Sequence, residues 1–243
     1  MNIALILSGG TGTRLGADIP KQYIEVNNMP NEACGRPVII YCMESLFRHG
    51  SVDAVQIVAA AAWQDKIREW MDSYGLAELS GDKFRGFSEP GENRQLSILN
   101  ALEDIKEYSA ESDLVLIHDA ARPMLSERQI GDCFQVADGH EGVVPVLPMK
   151  DTIYESKDGR QITSLMNRSE LFAGQAPEVF RLGKYLDANR RLLPDRIMEI
   201  NGSAEPAILA EMDVVLIPGE EENFKITTRE DLKRFIGIIG DRM

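Results

Sequence analysis

Apolar positions along the chain fall into short unbroken runs that alternate with stretches of helical spacing. Residues 3–7 (Ile-Ala-Leu-Ile-Leu) and 53–61 (Asp-Ala-Val-Gln-Ile-Val-Ala-Ala-Ala) read as buried strands, and 83–87, 113–118, 142–146 and 213–217 as further strands. Between them, 36–49 has helical spacing, with Pro37 suited to the first helical position. Residues 63–74 place Ile67, Trp70 and Met71 on one helical face. Helices are also expected over 95–102, 128–137 and 182–192, and after Thr228, where Asp231 three residues on resembles a capping box. Strands alternating with helices predict an α/β fold around a parallel sheet.

Two stretches break the rhythm. Residues 27–35 are polar and turn-rich. Residues 147–155 and 161–167, separated by Ser156 to Arg160 with Asp158-Gly159 as a tight-turn signal, read as a hairpin. This excursion from the sheet suits an arm that meets another subunit. The stretch from Arg168 to Phe180 contains Gln175-Ala176-Pro177-Glu178. No repeat, linker or low-complexity tract interrupts the chain, so residues 1–243 are expected to form one compact domain with an arm at about 147–167.

Composition narrows the classes. Hydrophobic content of 44% and charged content of 27% are those of a soluble globular protein. No apolar run approaches the roughly 20 residues that span a bilayer, and no basic segment followed by an apolar one opens the chain. The expected location is the cytoplasm. Cys34, Cys42 and Cys133 are scattered without metal-ligand spacing and read as reduced, mostly buried residues. A net charge of −13 argues against a nucleic-acid or membrane-surface binder. It leaves room for a nucleotide site, since a few local cations and backbone N–H groups can dominate one pocket.

The candidate chemistry begins where the first strand ends. After Leu7 comes Ser8-Gly9-Gly10-Thr11-Gly12-Thr13-Arg14, and seven residues beyond Arg14 stands Lys21, within Pro20-Lys21-Gln22. Glycines let bare N–H groups approach an anion, and Arg14 and Lys21 add full charges, a pattern that fits a triphosphate cradle. Glycines at a strand end also occur for steric reasons alone. No Gly-Lys-Ser/Thr follows, and Leu15 stands where a dinucleotide fingerprint needs its third glycine, so neither a Walker loop nor a dinucleotide fold fits. A second glycine loop, Ser88 to Arg94, runs into a helix carrying Ser97; it reads as an ordinary capped helix or as a wall for a base or ribose. The strand at 113–118 ends in His118-Asp119-Ala120-Ala121-Arg122-Pro123. Ligands of open α/β sheets gather at such strand ends. Asp119 suits either a loop hydrogen bond or a hydrated Mg²⁺ shared with phosphate oxygens. His118 is read as a packed residue with satisfied nitrogens.

Taken together, Gly-Gly-Thr-Gly-Thr-Arg, Pro-Lys-Gln-Tyr, Glu-Asn-Arg-x-x-Ser, His-Asp-Ala-Ala-Arg-Pro, Lys-Asp-Thr-Ile, Gly-Gln-Ala-Pro-Glu-x-Phe and Asn-Phe-Lys-Ile-Thr-Thr occur in one order. Over residues 2 to about 236 this order resembles the cytidylyltransferases that act on 2-C-methyl-D-erythritol 4-phosphate, and their sister enzymes that act on ribitol 5-phosphate. The resemblance implies a Rossmann-like nucleotidyltransferase fold, a three-layer sandwich with a mixed, mostly parallel sheet and a projecting β-arm, assembled as a homodimer through that arm. It implies CTP and a polyol phosphate as substrates, Mg²⁺ or another divalent cation as cofactor, and pyrophosphate as by-product. It assigns Arg14, Lys21 and Lys225 as catalytic cations. Leu7, Ser8, Gly9, Gly10, Gly12, Thr13, Gly91, Arg94, Ser97 and Asp119 fall to the nucleotide, with Asp119 near the metal. Arg122, Thr152, Arg168, Ala176 and Asn201 fall around the second substrate.

The chain departs from the family pattern at Gln175-Ala176-Pro177-Glu178, where Gln-Thr-Pro-Gln is usual, and at Asn201-Gly202-Ser203, where Thr-Asp-Glu or Thr-Asp-Ala is usual. Residues 31–35 enlarge a nearby loop. Glu178 is read either as a reader of a substrate hydroxyl or as a solvated loop residue. Two other functions stay open at this level: a nucleotidyltransferase for another base or sugar phosphate, and a CTP-binding homologue without turnover. Losing a cation that stabilises charge at the reacting phosphorus costs on the order of 10²-fold or more in rate. Lys21→Ala is therefore expected to abolish turnover while leaving the circular dichroism spectrum unchanged. A near-wild-type kcat would remove Lys21 from the mechanism.

Overall fold

A computed structural model describes residues 1–10, 19–26 and 35–241. In chain order the first half runs β1 (Asn2–Leu7), β2 (Glu25–Val26), β3 (Arg36–Pro37), α1 (Val38–Arg48), β4 (Ala54–Val58), α2 (Ala61–Ser73), α3 (Leu76–Ser80), β5 (Phe84–Ser88), α4 (Arg94–Lys106) and β6 (Leu114–Asp119). The second half runs α5 (Glu127–Ala137), β7 (Gly142–Pro148), β8 (Tyr154–Glu155), β9 (Ser164–Leu165), β10 (Phe172–Gly174), β11 (Glu178–Arg181), α6 (Leu182–Arg190), α7 (Glu205–Leu209), β12 (Val214–Pro218) and α8 (Arg229–Asp241).

Eight of these strands form one mixed sheet. β5, β4, β1 and β6 lie side by side in parallel. β11 then runs antiparallel to both β6 and β7, and β10 continues that antiparallel pairing along β7. β12 pairs in parallel with the other edge of β7. The expected fold class, a mostly parallel sheet between helical layers, is what the chain adopts. Pleating sends alternate residues of the central strands to opposite faces. Ala4, Ile6, Val55, Ile57 and Leu116 pack against α1, α2, α3 and α5, whereas Ile3, Leu5, Val58, Val115 and Ile117 pack against α4 and α6. α8 closes a smaller cluster with Val26, Val38 and Met124. Its start is a reciprocal capping box: Thr228 N–H donates to Asp231 Oδ2 at 2.8 Å and Asp231 N–H donates to Thr228 Oγ1 at 3.1 Å.

Several boundaries differ from the sequence pattern for local reasons. Pro37 is not the first helical residue; its extended backbone pairs with Glu25, and α1 starts one residue later. The run 53–61 divides, because Ala60 caps α2 and Ala61 already opens that helix. β6 extends to Asp119, so this carboxylate is the last residue of a strand. The short elements β2, β3, α3, β10, β11 and α7 escaped the pattern altogether. β10 is exposed throughout, and β11 is headed by a glutamate. The hairpin is present as β8 and β9, with Gly159 at φ +70° in its connecting loop.

Gly142 shows why the β7–β11 seam admits no side chain at this point: a Cβ there would lie 2.8 Å from the Phe180 ring. That ring is fully buried and stacks on Tyr185 with centroids 4.2 Å apart. Truncating a buried phenylalanine costs roughly 3–5 kcal/mol. Phe180→Ala is expected to lower the stability measured by urea unfolding by that amount.

Candidate active site

The cleft of interest lies over the carboxyl ends of β1, β4 and β6, where an open α/β sheet gathers its ligands. It holds about 440 Å³ and is lined by Leu7, Gly9, Gly10, Lys21, Val58, Gly91, Arg94, Ser97, Asp119, Ala121 and Lys225, among others. Its first wall is the glycine loop. Gln22 Nε2 donates to the carbonyls of Ser8, at 2.6 Å, and Gly10, at 2.8 Å, and the Tyr23 hydroxyl donates to Ser8 O at 3.0 Å. Tyr23 is itself pinned by stacking on Trp63, centroids 4.3 Å apart. Carbonyls held from below in this way cannot turn toward an anion above them. The same short turn that supplies Gln22 and Tyr23 presents Lys21 to the cleft.

The opposing wall is the start of α4. Asn93 caps that helix by accepting from Leu96 N–H at 2.7 Å, and donates from its own amide to Ile197 O at 2.8 Å. Ser97 Oγ accepts from Gly91 N–H at 2.9 Å and donates to Asn93 O at 2.8 Å, which fixes the loop it faces. The walls approach closely: a Cβ on Gly9 would lie 2.6 Å from Pro90 Cβ. The positive end of the α4 dipole adds to the field in the cleft.

Asp119 forms the floor, buried to 8% exposure. Lys225 Nζ donates to its Oδ2 at 2.9 Å. Arg94 donates to its Oδ1 from Nη2 at 3.2 Å and from Nε at 3.3 Å. Arg122 Nε stands 3.6 Å from Oδ2, while its Nη1 donates to Asn223 O at 2.7 Å. Burial would raise the Asp119 carboxyl, but Arg94, Lys225 and Arg122 outweigh burial and hold it well below the usual carboxylate range. Three cations around one carboxylate leave positive charge in excess, so the floor attracts an anion.

Of the residues singled out from the sequence, Leu7, Gly9, Gly10, Lys21, Gly91, Arg94, Ser97, Asp119 and Lys225 share this cleft. Gly12, Thr13 and Arg14 lie outside the described residues. Ser8 sits beneath it, its hydroxyl donating to Val58 O. Ala176 is buried on the way into β11, with its carbonyl bound by Asn223 Nδ2 at 2.8 Å. Thr152 and Arg168 stand exposed at the arm, where Arg168 Nη1 donates to Lys150 O at 2.6 Å. Asn201 is exposed and donates its amide to Glu199 O at 3.0 Å. The sequence reading missed Gln22, Val58 and Ala121 as cleft residues; Gln22 could have been found from its place beside Lys21. His118 is packed as expected, yet only its Nε2 is satisfied, against Arg122 O at 2.9 Å; Nδ1 is buried without a partner, and burial pushes the ring down to about 4.

Glu178 is not a solvated loop residue. It opens β11, is 9% exposed, and has its Oε2 buried without a hydrogen-bond partner. Burial pushes its carboxyl up to about 7, with Arg94 pulling against the rise and Asp119 adding to it.

A cleft of amides and cations over strand ends, with a helix N-terminus in its wall, defines a nucleotide-dependent phosphoryl- or nucleotidyl-transfer class of protein. Comparison with known proteins narrows the class. The model of the family described as IspD, 2-C-methyl-D-erythritol 4-phosphate cytidylyltransferase, matches residues 2–240, and the chain belongs to this family. A ribitol-5-phosphate cytidylyltransferase of Streptococcus pneumoniae is 33% identical over 236 residues, covering 96% of each chain. A 4-diphosphocytidyl-2C-methyl-D-erythritol synthase structure superposes with a TM-score of 0.76 at 23% identity, covering 98% of each chain. The 2-C-methyl-D-erythritol 4-phosphate cytidylyltransferase of Francisella tularensis gives 0.76 at 21% identity, with 96% of this chain and 97% of that one covered. The two structural likenesses speak to the fold.

The raised Glu178 carboxyl has a consequence for stability. Its folded value, about 7, lies above the ordinary 4.5, so the folded protein holds this proton more tightly. Stability from this group is fully present below pH 4.5 and is lost as pH rises through 7. Glu178→Gln removes the effect. Its Tm is expected to exceed that of the wild type at pH 8 by a few degrees, with the gap closing by about pH 5 in paired thermal melts.

Proposed function

We propose that the protein transfers the cytidylyl group of CTP to a phosphorylated polyol and releases pyrophosphate. The observation that carries this reading is the Arg94–Asp119–Lys225 cluster facing the glycine loop and Lys21 across one cleft, in a chain of the cytidylyltransferase family. Ribitol 5-phosphate and 2-C-methyl-D-erythritol 4-phosphate are the acceptors named among its relatives, and both are polyol phosphates.

The acceptor phosphate is an anion near neutral pH, so the reaction needs positioning and charge stabilisation more than a strong base. An acceptor oxygen bonds to the α-phosphorus in line as the bond to the bridging oxygen of pyrophosphate breaks. Backbone N–H groups of Gly9 and Gly10 cradle the triphosphate, with Ser97 and Gly91 beside the nucleoside. Lys21 and Arg14 offset the charge on the leaving pyrophosphate, and Lys225 offsets that on the α-phosphoryl oxygens.

The residues fit a divalent cation of a particular kind. Among the described residues no group of three metal-ligating side chains occurs, but Asp119 is a strongly ionised carboxylate in the floor. Mg²⁺ commonly binds through one or two carboxylates, substrate phosphates and water. Asp119 would hold it, and it would neutralise charge on the phosphates.

On this reading the arm joins two copies. Its tip and flanks expose Tyr154 (56%), Ile162 (64%) and Leu165 (66%), apolar side chains that a second copy would cover. Thr152 and Arg168 at the arm would then join Arg122, Ala176 and Asn201 around the acceptor. Among the described residues no helix is long and apolar enough to cross a membrane, and the reading places the enzyme in the cytoplasm with its CTP. Pyrophosphate release should be measured with each of CTP, UTP, GTP and ATP against both polyol phosphates. Release with CTP and one of the acceptors is expected. Preference for another nucleotide, or CTP binding with no product from either acceptor, overturns the assignment.

A further inference from the structure

Glu178 is a buried carboxyl that the mechanism above does not use. Its register partner on β6 is Ile117, so it shares the face from which Asp119, two residues along β6, enters the cleft. Both therefore lie on the side of the sheet that α4 and α6 cover. Arg94 is the cation whose charge acts most strongly on Glu178. It is also the more loosely bonded of the two cations that donate to Asp119, at 3.2 and 3.3 Å against 2.9 Å for Lys225. Arg122 acts on Glu178 more weakly than Arg94 does; its Nη1 is tied to Asn223 O at 2.7 Å, while its Nε is buried without a hydrogen-bond partner. The free protein thus has one arginine bonded to Asp119 whose charge also acts on Glu178, while Oε2 of Glu178 has no hydrogen-bond partner. A buried polar group left unpaired costs stability, which a second arrangement of the site can recover.

We propose that Glu178 is a positioning residue that takes over Arg94 when Asp119 turns to the divalent cation accompanying the triphosphate. The proposal rests on the CTP reading given above. In the free state Arg94 is held by Asp119. With metal and nucleotide bound, Asp119 spends its oxygens on the cation, and Arg94 would drift from the cleft wall without a replacement anion. Glu178 supplies one from within the sheet. Arg94 stays against the nucleotide, and the cleft keeps its shape while its charge pairs are exchanged.

The exchange has a signature that a merely structural residue lacks: Glu178 should matter to nucleotide binding only when the metal is present. The test is isothermal titration of CTP into wild type, Glu178→Gln and Glu178→Met, each with Mg²⁺ and again in EDTA. Loss of one charge-assisted hydrogen bond is expected to weaken binding of Mg²⁺–CTP roughly tenfold in Glu178→Gln, and at least as much in Glu178→Met. In EDTA all three should agree within about twofold. A crystal structure of the wild type with Mg²⁺ and CTP should place the Arg94 guanidinium within hydrogen-bond distance of Glu178. Equal weakening with and without metal, no weakening in either buffer, or Arg94 still on Asp119 in the complex would overturn the proposal. If Glu178→Met does not fold, Glu178→Gln decides alone. Should the wild type bind CTP in neither buffer, the cytidylyltransferase reading and this proposal fall together. Should it bind and turn over CTP while Glu178→Gln matches it in both buffers, only the role of Glu178 falls.

Discussion

The ion-pair cluster on Asp119 is the interaction on which the rest of the cleft depends. Its cations come from separate parts of the chain: Arg94 from the start of α4, Arg122 from the turn after β6, and Lys225 from the segment before α8. The segments of Arg122 and Lys225 are also bonded to each other, by Arg122 Nη1 on Asn223 O at 2.7 Å and by Ile226 N–H on Ala121 O at 2.8 Å, whereas Arg94 joins them through the carboxylate. Such a cluster is expensive to bury, and its excess positive charge is tolerable only because the cleft remains open to solvent or ligand. The stability lost by that arrangement is recovered elsewhere, in the apolar layers on either side of the sheet.

A second constraint operates on the glycine loop. Gln22 and Tyr23 bind its carbonyls from below, and Trp63 and Trp70 hold Tyr23 in place. The loop's shape is thus inherited from the aromatic packing beneath it. Lys21 is delivered by the residue next to the one that grips the loop. Charge and shape therefore come from a single turn, which explains how an acidic protein can maintain a locally basic pocket.

Much of this was legible in the linear chain. The central strands announced themselves as apolar runs, and the motifs at Gly9-Gly10, Lys21, Arg94 and Asp119 fell at the ends of those runs or the starts of helices, where chemistry concentrates. β10 and β11 were hidden because they are short, with Phe172-Ala173 and Val179-Phe180 as their apolar pairs, and β11 is headed by a glutamate that polarity rules assign to a loop. Whether Glu178 faces solvent or a cluster of cations is a long-range fact, decided by its pairing with β6, and no local pattern records it. The placement of Thr152, Arg168 and Asn201 was illegible for a related reason: they stand exposed on segments that do not line the cleft.

The pleat of β6 carries a final implication. His118 and Asp119 are neighbours that point to opposite faces, and both faces are packed with Leu, Ile and Val. A shift of this strand by one residue would turn every one of its side chains to the opposite face. It would put an imidazole where the acid belongs and leave Arg94, Arg122 and Lys225 without their carboxylate. The two faces differ little in hydrophobicity, so the apolar pattern alone does not police that error. The policing falls to polar contacts at the strand's two ends: Asp113 with the amino terminus of the chain, and Asp119 with its cations. The charged groups of the cleft floor thereby double as the alignment marks of the sheet.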